Sequence, residues 1–335
     1  MKIVECSTPA GRAGMPTASK LLPFDPAWLQ GHAVDGHLCA VGTGGEVRAH
    51  CSLWWRQTPE LVGRRVGAIG HFASAEDEAT AALIEYAIAR LRDEGCVLAI
   101  GPMDGNTWRS YRFVTSDGSG EQAEPPFFLE PANPPDWPQQ FEQAGFTPLA
   151  EYYSALNDDL SRMDLRLDAA AERLEIAGVR IRSALGTPLW EQLKRIYALS
   201  RVAFTRNFLY TELPEADFLE QYAPILPRIS PELILLAERD DELVGYLFGV
   251  PDFAQAARGK TIDTFLIKTV AILPEPSLRG LGSLLVGRGH EAGKRLGFKR
   301  CIHALMHEDN VSRNISNHYA VTMRRYILYS RELAR

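Results

Sequence analysis

The sequence predicts an α/β protein of two domains, each a β-sheet flanked by helices. The chain has 335 residues, against roughly 100–200 for one domain. Strands alternate with helices through both halves in a similar order, which points to duplication even though no tandem sequence repeat is visible. In the second half a strand, Lys268-Thr269-Val270-Ala271-Ile272-Leu273-Pro274, runs into a glycine turn that opens a helix.

In the first half, Leu38–Val41 and Val47–Trp55 read as strands around the turn Gly42-Thr43-Gly44-Gly45. Val66–Phe72 is a further apolar run. Ser74 is placed to cap a helix with apolar residues at Ala79, Leu83, Tyr86, Ala87 and Leu91, ended by Gly95. Val97–Ile100 is a short buried strand, and the Gly- and Pro-rich stretch from Gly101 to Pro148 reads as loop. Phe141–Phe146 looks like a helix end with a glycine cap, and Glu151–Leu156 like a closing strand. Residues 1–160 make the first domain, and the charged, helix-permissive residues 161–177 the linker.

The second domain, 178–335, opens with a strand at Val179–Ala184. Pro188 starts an amphipathic helix with Leu189, Leu193, Ile196, Tyr197 and Val202 on its apolar side. A second helix spans Glu215 to Leu226. Leu233–Ala237 and Leu243–Val250 form a hairpin around Arg239-Asp240-Asp241-Glu242. Phe265–Leu273 is the strand before the glycine turn, and the helix after it runs to Leu296. Lys299–Leu305 is a strand, a polar helix reaches Tyr319, and Tyr326–Tyr329 is the last strand.

Composition narrows the function classes. A hydrophobic fraction of 46% with 23% charged residues is that of a soluble globular protein. The net charge of −6 argues against nucleic acid or an anionic membrane as partner. Five scattered cysteines without a C-x-x-C pair read as reduced thiols rather than disulfides or a zinc site. No metal is therefore expected. No signal peptide and no apolar run of about 18 residues is visible, so a cytoplasmic protein is expected.

The turn Ser277-Leu278-Arg279-Gly280-Leu281-Gly282-Ser283 carries the chemistry. A helix N-terminus presents unpaired N–H groups and a positive partial charge. Without side chains at Gly280 and Gly282, those groups can close around a phosphate, with Arg279 adding charge. The same glycines would also serve a tight packing turn. A dinucleotide fingerprint would need a third glycine where Leu285 stands, and the Lys-Ser/Thr of a P-loop is absent.

The order of strand, Ser277–Gly282 turn, helix, strand and terminal helix resembles the GCN5-related N-acetyltransferase family over about residues 178–335. The family's cofactor motif reads Gln/Arg-x-x-Gly-x-Gly/Ala, and Ser277 departs from it at the first position. The resemblance implies two acyl-CoA N-acyltransferase-like domains, each a mixed, mostly antiparallel sheet flanked by helices. It implies acetyl-CoA as co-substrate, with Val270, Ala271 and Ile272 pairing with the pantetheine arm and Ser277 to Ser283 clasping the pyrophosphate. His307-Glu308-Asp309-Asn310-Val311-Ser312 looks like the Asn-bearing stretch beside the cofactor thiol, so Asn310 and Ser312 join the cofactor set.

Direct acyl transfer to an amine needs an unprotonated amine, a polarised carbonyl and a proton for the leaving thiolate. Ser316 falls at the family's usual tyrosine position, leaving Tyr319 and Tyr326 as acid candidates; Tyr329 is also near. Glu308 and His307 are the base candidates. The loop between the first two helices offers Arg206, Asn207 and Tyr210 to the acceptor, a small-molecule or protein amine. In the first half Ser74-Ala75-Glu76-Asp77-Glu78 replaces the glycine turn. Its carboxylates would repel a pyrophosphate, so 1–160 reads as a degenerate sister domain shaping the acceptor site or a homodimer surface. The rival reading is a non-catalytic module that binds CoA or a small ligand.

Overall fold

The computed structural model describes residues 1–6, 8–61, 63–116, 124–162, 164, 166–309 and 312–333. The first half contains β1 (Lys2–Cys6), α1 (Pro9–Ala13), α2 (Trp28–Gly31), β2 (Gly36–Val41), β3 (Val47–Trp54), β4 (Val66–Ser74), α3 (Asp77–Asp93), β5 (Leu98–Gly101), β6 (Phe113–Ser116), α4 (Trp137–Gln143) and β7 (Thr147–Asn157). Helix α5 (Arg166–Ile176) follows. The second half contains β8 (Arg180–Ser183), α6 (Leu189–Ala203), α7 (Glu215–Tyr222), β9 (Ile234–Arg239), β10 (Glu242–Pro251), α8 (Phe253–Ala257), β11 (Thr264–Ile272), α9 (Leu281–Arg295), β12 (Arg300–His307), α10 (Ser312–Ser316) and β13 (Val321–Glu332).

All thirteen strands form one sheet in the order β1-β2-β3-β4-β5-β13-β7-β12-β11-β10-β9-β8, with β6 also on β13. Among the strands of the described residues, only the pairs β4–β5 and β11–β12 run parallel. The sheet is therefore mixed and mostly antiparallel, as the resemblance implied. In each half the parallel pair is linked by one long helix, α3 or α9. These helices bury apolar faces: Leu83, Ile84 and Leu91 in α3, and Leu281, Leu284 and Leu285 in α9. Each such side chain contributes about 1.5–3 kcal/mol.

The closing strands are exchanged. β7, from the first half, pairs with β12, while β13, at the end of the chain, pairs with β5. β7 and β13 then pair with each other from Val321↔Leu156 to Ser330↔Thr147. Both are much longer than the sequence suggests, because each must serve two neighbours. Hydrogen bonds thus cross the sequence boundaries at 160 and 178, and the expected linker is largely helix α5, whose Leu174 is buried.

Local differences have local causes. Ser74 ends β4 instead of capping α3. Glu76 takes the cap position, and the Ser74 hydroxyl donates to its carbonyl at 2.9 Å. Helix α7 stops at Tyr222 rather than Leu226, since Pro224 has no N–H to continue it. The β9–β10 turn is a two-residue hairpin with positive φ at Asp240 (52°) and Asp241 (64°), the left-handed pair that matches strand twist.

Because β7 and β13 knit the halves together, the intact chain is expected to unfold in a single calorimetric transition. The isolated segment 178–335 would lack β5, β6 and β7, leaving β12 with β11 as its one partner and β13 with none. It should fail to give a folded monomer by circular dichroism and size-exclusion chromatography.

Candidate functional site

Strands β11 and β12 part. They pair only over Thr264–Ile267 and Arg300–His303. On its other side β11 pairs Ile267 with Gly249 and Thr269 with Phe248, so Lys268 is an extra, bulged residue. A bulge bends its strand and sharpens the twist, and here it sits where pairing to β12 ends. Beyond it, among the described residues, Thr269–Ile272 pair with β10 alone, presenting a free backbone edge. β12 meanwhile swings towards β7, pairing Met306 with Tyr153 and His307 with Tyr152. Val270, Ala271 and Ile272 thus line one wall of a V-shaped opening.

The glycine turn lies at the end of that wall. A 3-10 turn, Pro276–Leu278, leads to Gly280 at φ 87°, and α9 begins at Leu281. Buried Leu278 and Leu281 anchor the turn while Arg279 is exposed. A side chain at 280 would be strained by φ and would meet Arg173 Nη2 at 3.2 Å; one at Gly282 would come 3.0 Å from Ile272. The N–H groups of Leu281, Gly282 and Ser283 precede any acceptor within α9. Ser277 instead turns aside, its hydroxyl accepting from Arg239 and donating to Glu275. Helix α5 lies along α9, with Leu167 against Gly287 and the Arg173 guanidinium donating to the Arg279 carbonyl. A second cation therefore stands at the turn, supplied by residues the sequence marked only as linker. Leu167, Ala171 and Leu174, at helical spacing, were its available signal.

The remaining candidates divide. His307 and the α6–α7 loop come together: the ring lies 4.9 Å from Tyr152 and 5.7 Å from Phe208. His307 Nδ1 accepts from the Asp309 N–H at 3.1 Å, so the neutral ring carries its proton on Nε2, as a donor rather than a base. Glu308 is held between Arg313 at 2.7 Å and Arg325 at 2.6 Å. Tyr319 is buried against α9, its hydroxyl unpartnered among the described residues and pushed up to about 12 by burial. Tyr326 is wholly buried in the first-half part of the sheet, where its hydroxyl binds Glu130 and Ser154. Neither tyrosine hydroxyl is free to reach the opening. Arg206 and Asn207 are exposed, while Tyr210 packs 6.1 Å from Trp108, whose Nε1 donates to the Thr211 carbonyl at 2.7 Å. A first-half loop thus braces the α6–α7 loop. Asn310 lies outside the described residues, as does the Ser312 side chain.

The first half repeats the device but seals it. Ser52 pairs with Gly70 and His50 with Ala73, so β4 bulges at His71 and Phe72, and β4–β5 pairing ends at Ala68↔Ile100. Into that opening goes the chain itself: the Met103 carbonyl abuts Gly70, and Asp104 Oδ1 accepts from the His71 N–H at 2.6 Å. Behind it runs a chain of side chains in which His32 meets His71 and Ser52 bridges His71 and His37, each at 2.9 Å. Asp77 and Glu78 occupy the first turn of α3, as the sequence anticipated.

No protein-family model matches the sequence, and no curated protein matches it. Solved structures do match. The chain is similar to a GCN5-related N-acetyltransferase from Sphaerobacter thermophilus, with 13% identity over 89% of this chain and 81% of that one and a TM-score of 0.51. It is similar to a tandem GNAT protein from the clavulanic acid biosynthesis pathway, with 14% identity over 100% and 99% of the two chains and a TM-score of 0.50. A third is the GCN5-related glucosamine N-acetyltransferase region of a fungal multi-domain β-N-acetylglucosaminidase, at 15% identity and TM-score 0.54. The match covers 88% of this chain but only 33% of that one. The fold is therefore that of GCN5-related N-acetyltransferases, in tandem. Among the described residues no helix is long and apolar enough to cross a membrane.

Burial dominates the histidine pKa values. His37 and His71 are pushed down to about 2, and His50 and His303 to about 4. Below 6.5 the unfolded chain binds protons that these rings refuse, so stability falls as pH drops from 6.5 towards 4. Asp104, raised by burial to about 7, acts oppositely but is a single group. Melting temperatures at pH 7.5 and pH 5 should therefore differ, lower at pH 5, and His50→Phe should narrow the gap.

Proposed function

We propose that this protein is an acyl-CoA-dependent N-acyltransferase, binding acetyl-CoA in its second half and acylating an amine held beneath the α6–α7 loop. The observation that carries this reading is the bulge at Lys268, which frees the β11 edge beside the glycine turn. The fit rests on Gly280, where a side chain would fill the cradle, and on the N–H groups that open α9. Arg279 and Arg173 would hold the pyrophosphate, and Val270 to Ile272 the pantetheine. Bound there, acetyl-CoA supplies an activated acyl group. A backbone N–H of Val270, Ala271 or Ile272 would polarise the carbonyl, with His307 Nε2 a second donor from the opposite wall. Phe208, Tyr152 and Trp108 would give the acceptor an apolar surround, and the exposed Arg206 and Asn207 would meet its polar end.

A second reading, a CoA-binding module without transfer, is favoured by Ser316. Its hydroxyl is bound to His303 at 3.0 Å instead of entering the opening. Calorimetric titration of acetyl-CoA into the intact chain, followed by an amine panel, separates the readings: heat with turnover supports transfer, heat without turnover supports the module. No heat would defeat both.

Gly280→Glu should leave the fold cooperative yet weaken CoA binding by about tenfold or more, since a side chain and a like charge enter the cradle. Arg173→Ala removes one charge-assisted contact and should also cost about tenfold, with little change in melting temperature. Unchanged CoA affinity in a folded Gly280→Glu protein would reduce the turn to a packing device.

A further inference from the structure

Beneath the opening, α9 and β12 are joined by a polar trio that the proposed reaction does not use. Cys301 and His303 stand two apart on β12 and so point to the same side of the sheet, towards His290 on α9. All three are buried. One donor atom from each, two imidazole nitrogens and the thiol sulfur, lies within 4.8 Å of the other two. The imidazoles meet Nε2 to Nε2 at 2.9 Å.

As a hydrogen-bonded pair this arrangement is incomplete. Two ring nitrogens 2.9 Å apart share a single proton, one donating and the other accepting. His290 Nδ1 is buried without a partner among the described residues. His303 Nδ1, by contrast, is fixed at 3.0 Å by the Ser316 hydroxyl. An orienting hydrogen bond on the far nitrogen is what a metal-bound imidazole has.

We propose that His290, Cys301 and His303 form a binding site for a thiophilic transition-metal ion of the Zn2+ or Cu+ class. Two imidazoles and a thiolate match that class, and oxygen-seeking ions such as Mg2+ or Ca2+ are excluded by the absence of a carboxylate from the trio. On binding, the Cys301 S–H bond breaks, its proton leaves to solvent and a metal–sulfur bond forms. The proton between the rings moves to a Nδ1, freeing both Nε2 lone pairs. One proton is released per ion, and no electron is transferred. Because the ion displaces the thiol proton, affinity rises with pH. The site lies at Ile267↔His303, the last pair before the strands part, so the ion ties α9 to β12 where the opening begins. The sequence pattern hid it: one ligand comes from a helix, two alternate along a strand, and the spacing matches no C-x-x-C or H-x-x-x-H motif.

The test is a titration of Co2+, then Zn2+, into the full-length, chelator-treated protein. Co2+ should give a thiolate-to-cobalt absorption band saturating at one equivalent, with Zn2+ displacing it and the pH falling in unbuffered solution. Cys301→Ser should abolish the band, His290→Gln should weaken Co2+ binding at least tenfold, and Cys51→Ser should leave both unchanged. If Cys301→Ser does not fold, His290→Gln with the wild-type band carries the result. Absence of the band in folded wild-type protein, or a band that survives Cys301→Ser, overturns the site and leaves a hydrogen-bonded trio.

Discussion

The proposed reaction depends on one irregularity, the parting of β11 and β12 at the bulged residue Lys268. A parallel pair in full register would satisfy its backbone groups and leave no edge. The bulge at Lys268 moves β11 off register against β10, and the twist it adds carries Ile272 away from His307. The free edge that results is short and lies beside the α9 N-terminus, whose first N–H groups have no acceptor within the helix. Two sets of unsatisfied donors are thus brought together. That is a costly arrangement for a structural element and a useful one for an anionic, amide-bearing ligand.

The strand exchange sets the context of that opening. β12 can swing away from β11 because β7 receives it, and β7 belongs to the other half of the chain. The first half is therefore part of the wall, although its own opening is sealed by Met103 and Asp104. Its loop at Trp108 braces the α6–α7 segment. The second half thus has a neighbour whose own opening is filled, joined to it by the central β7–β13 ladder.

Much of the site was legible from local chemistry. Gly280 and Gly282 mark a turn in any context, because a left-handed φ and a close approach both demand glycine. The carboxylates Asp77 and Glu78 likewise fall in the first turn of α3, where the sequence placed them. The catalytic candidates fared differently: proximity in sequence placed Tyr319 and Tyr326 beside the motif, but Tyr319 faces α9 and Tyr326 lies across the sheet against Glu130. Arg173 was harder to read: the apolar spacing of Leu167, Ala171 and Leu174 marks a buried face in residues 161–177, but not which surface that face covers.

By itself the sequence determined most elements from Leu38 onward, though not β1, α1, α2, β6 or α8, together with their order, the duplicated plan and the glycine turn. These follow from periodicity, capping and steric limits that act within a few residues. The tertiary structure alone decided which strand closes which half, that β11 bulges at Lys268, that Arg173 reaches Gly280, and that His290 meets Cys301 and His303. Such facts depend on which of several compatible edges and faces meet across long stretches of chain. That choice is made by the summed packing of the whole sheet and leaves no mark at any one position.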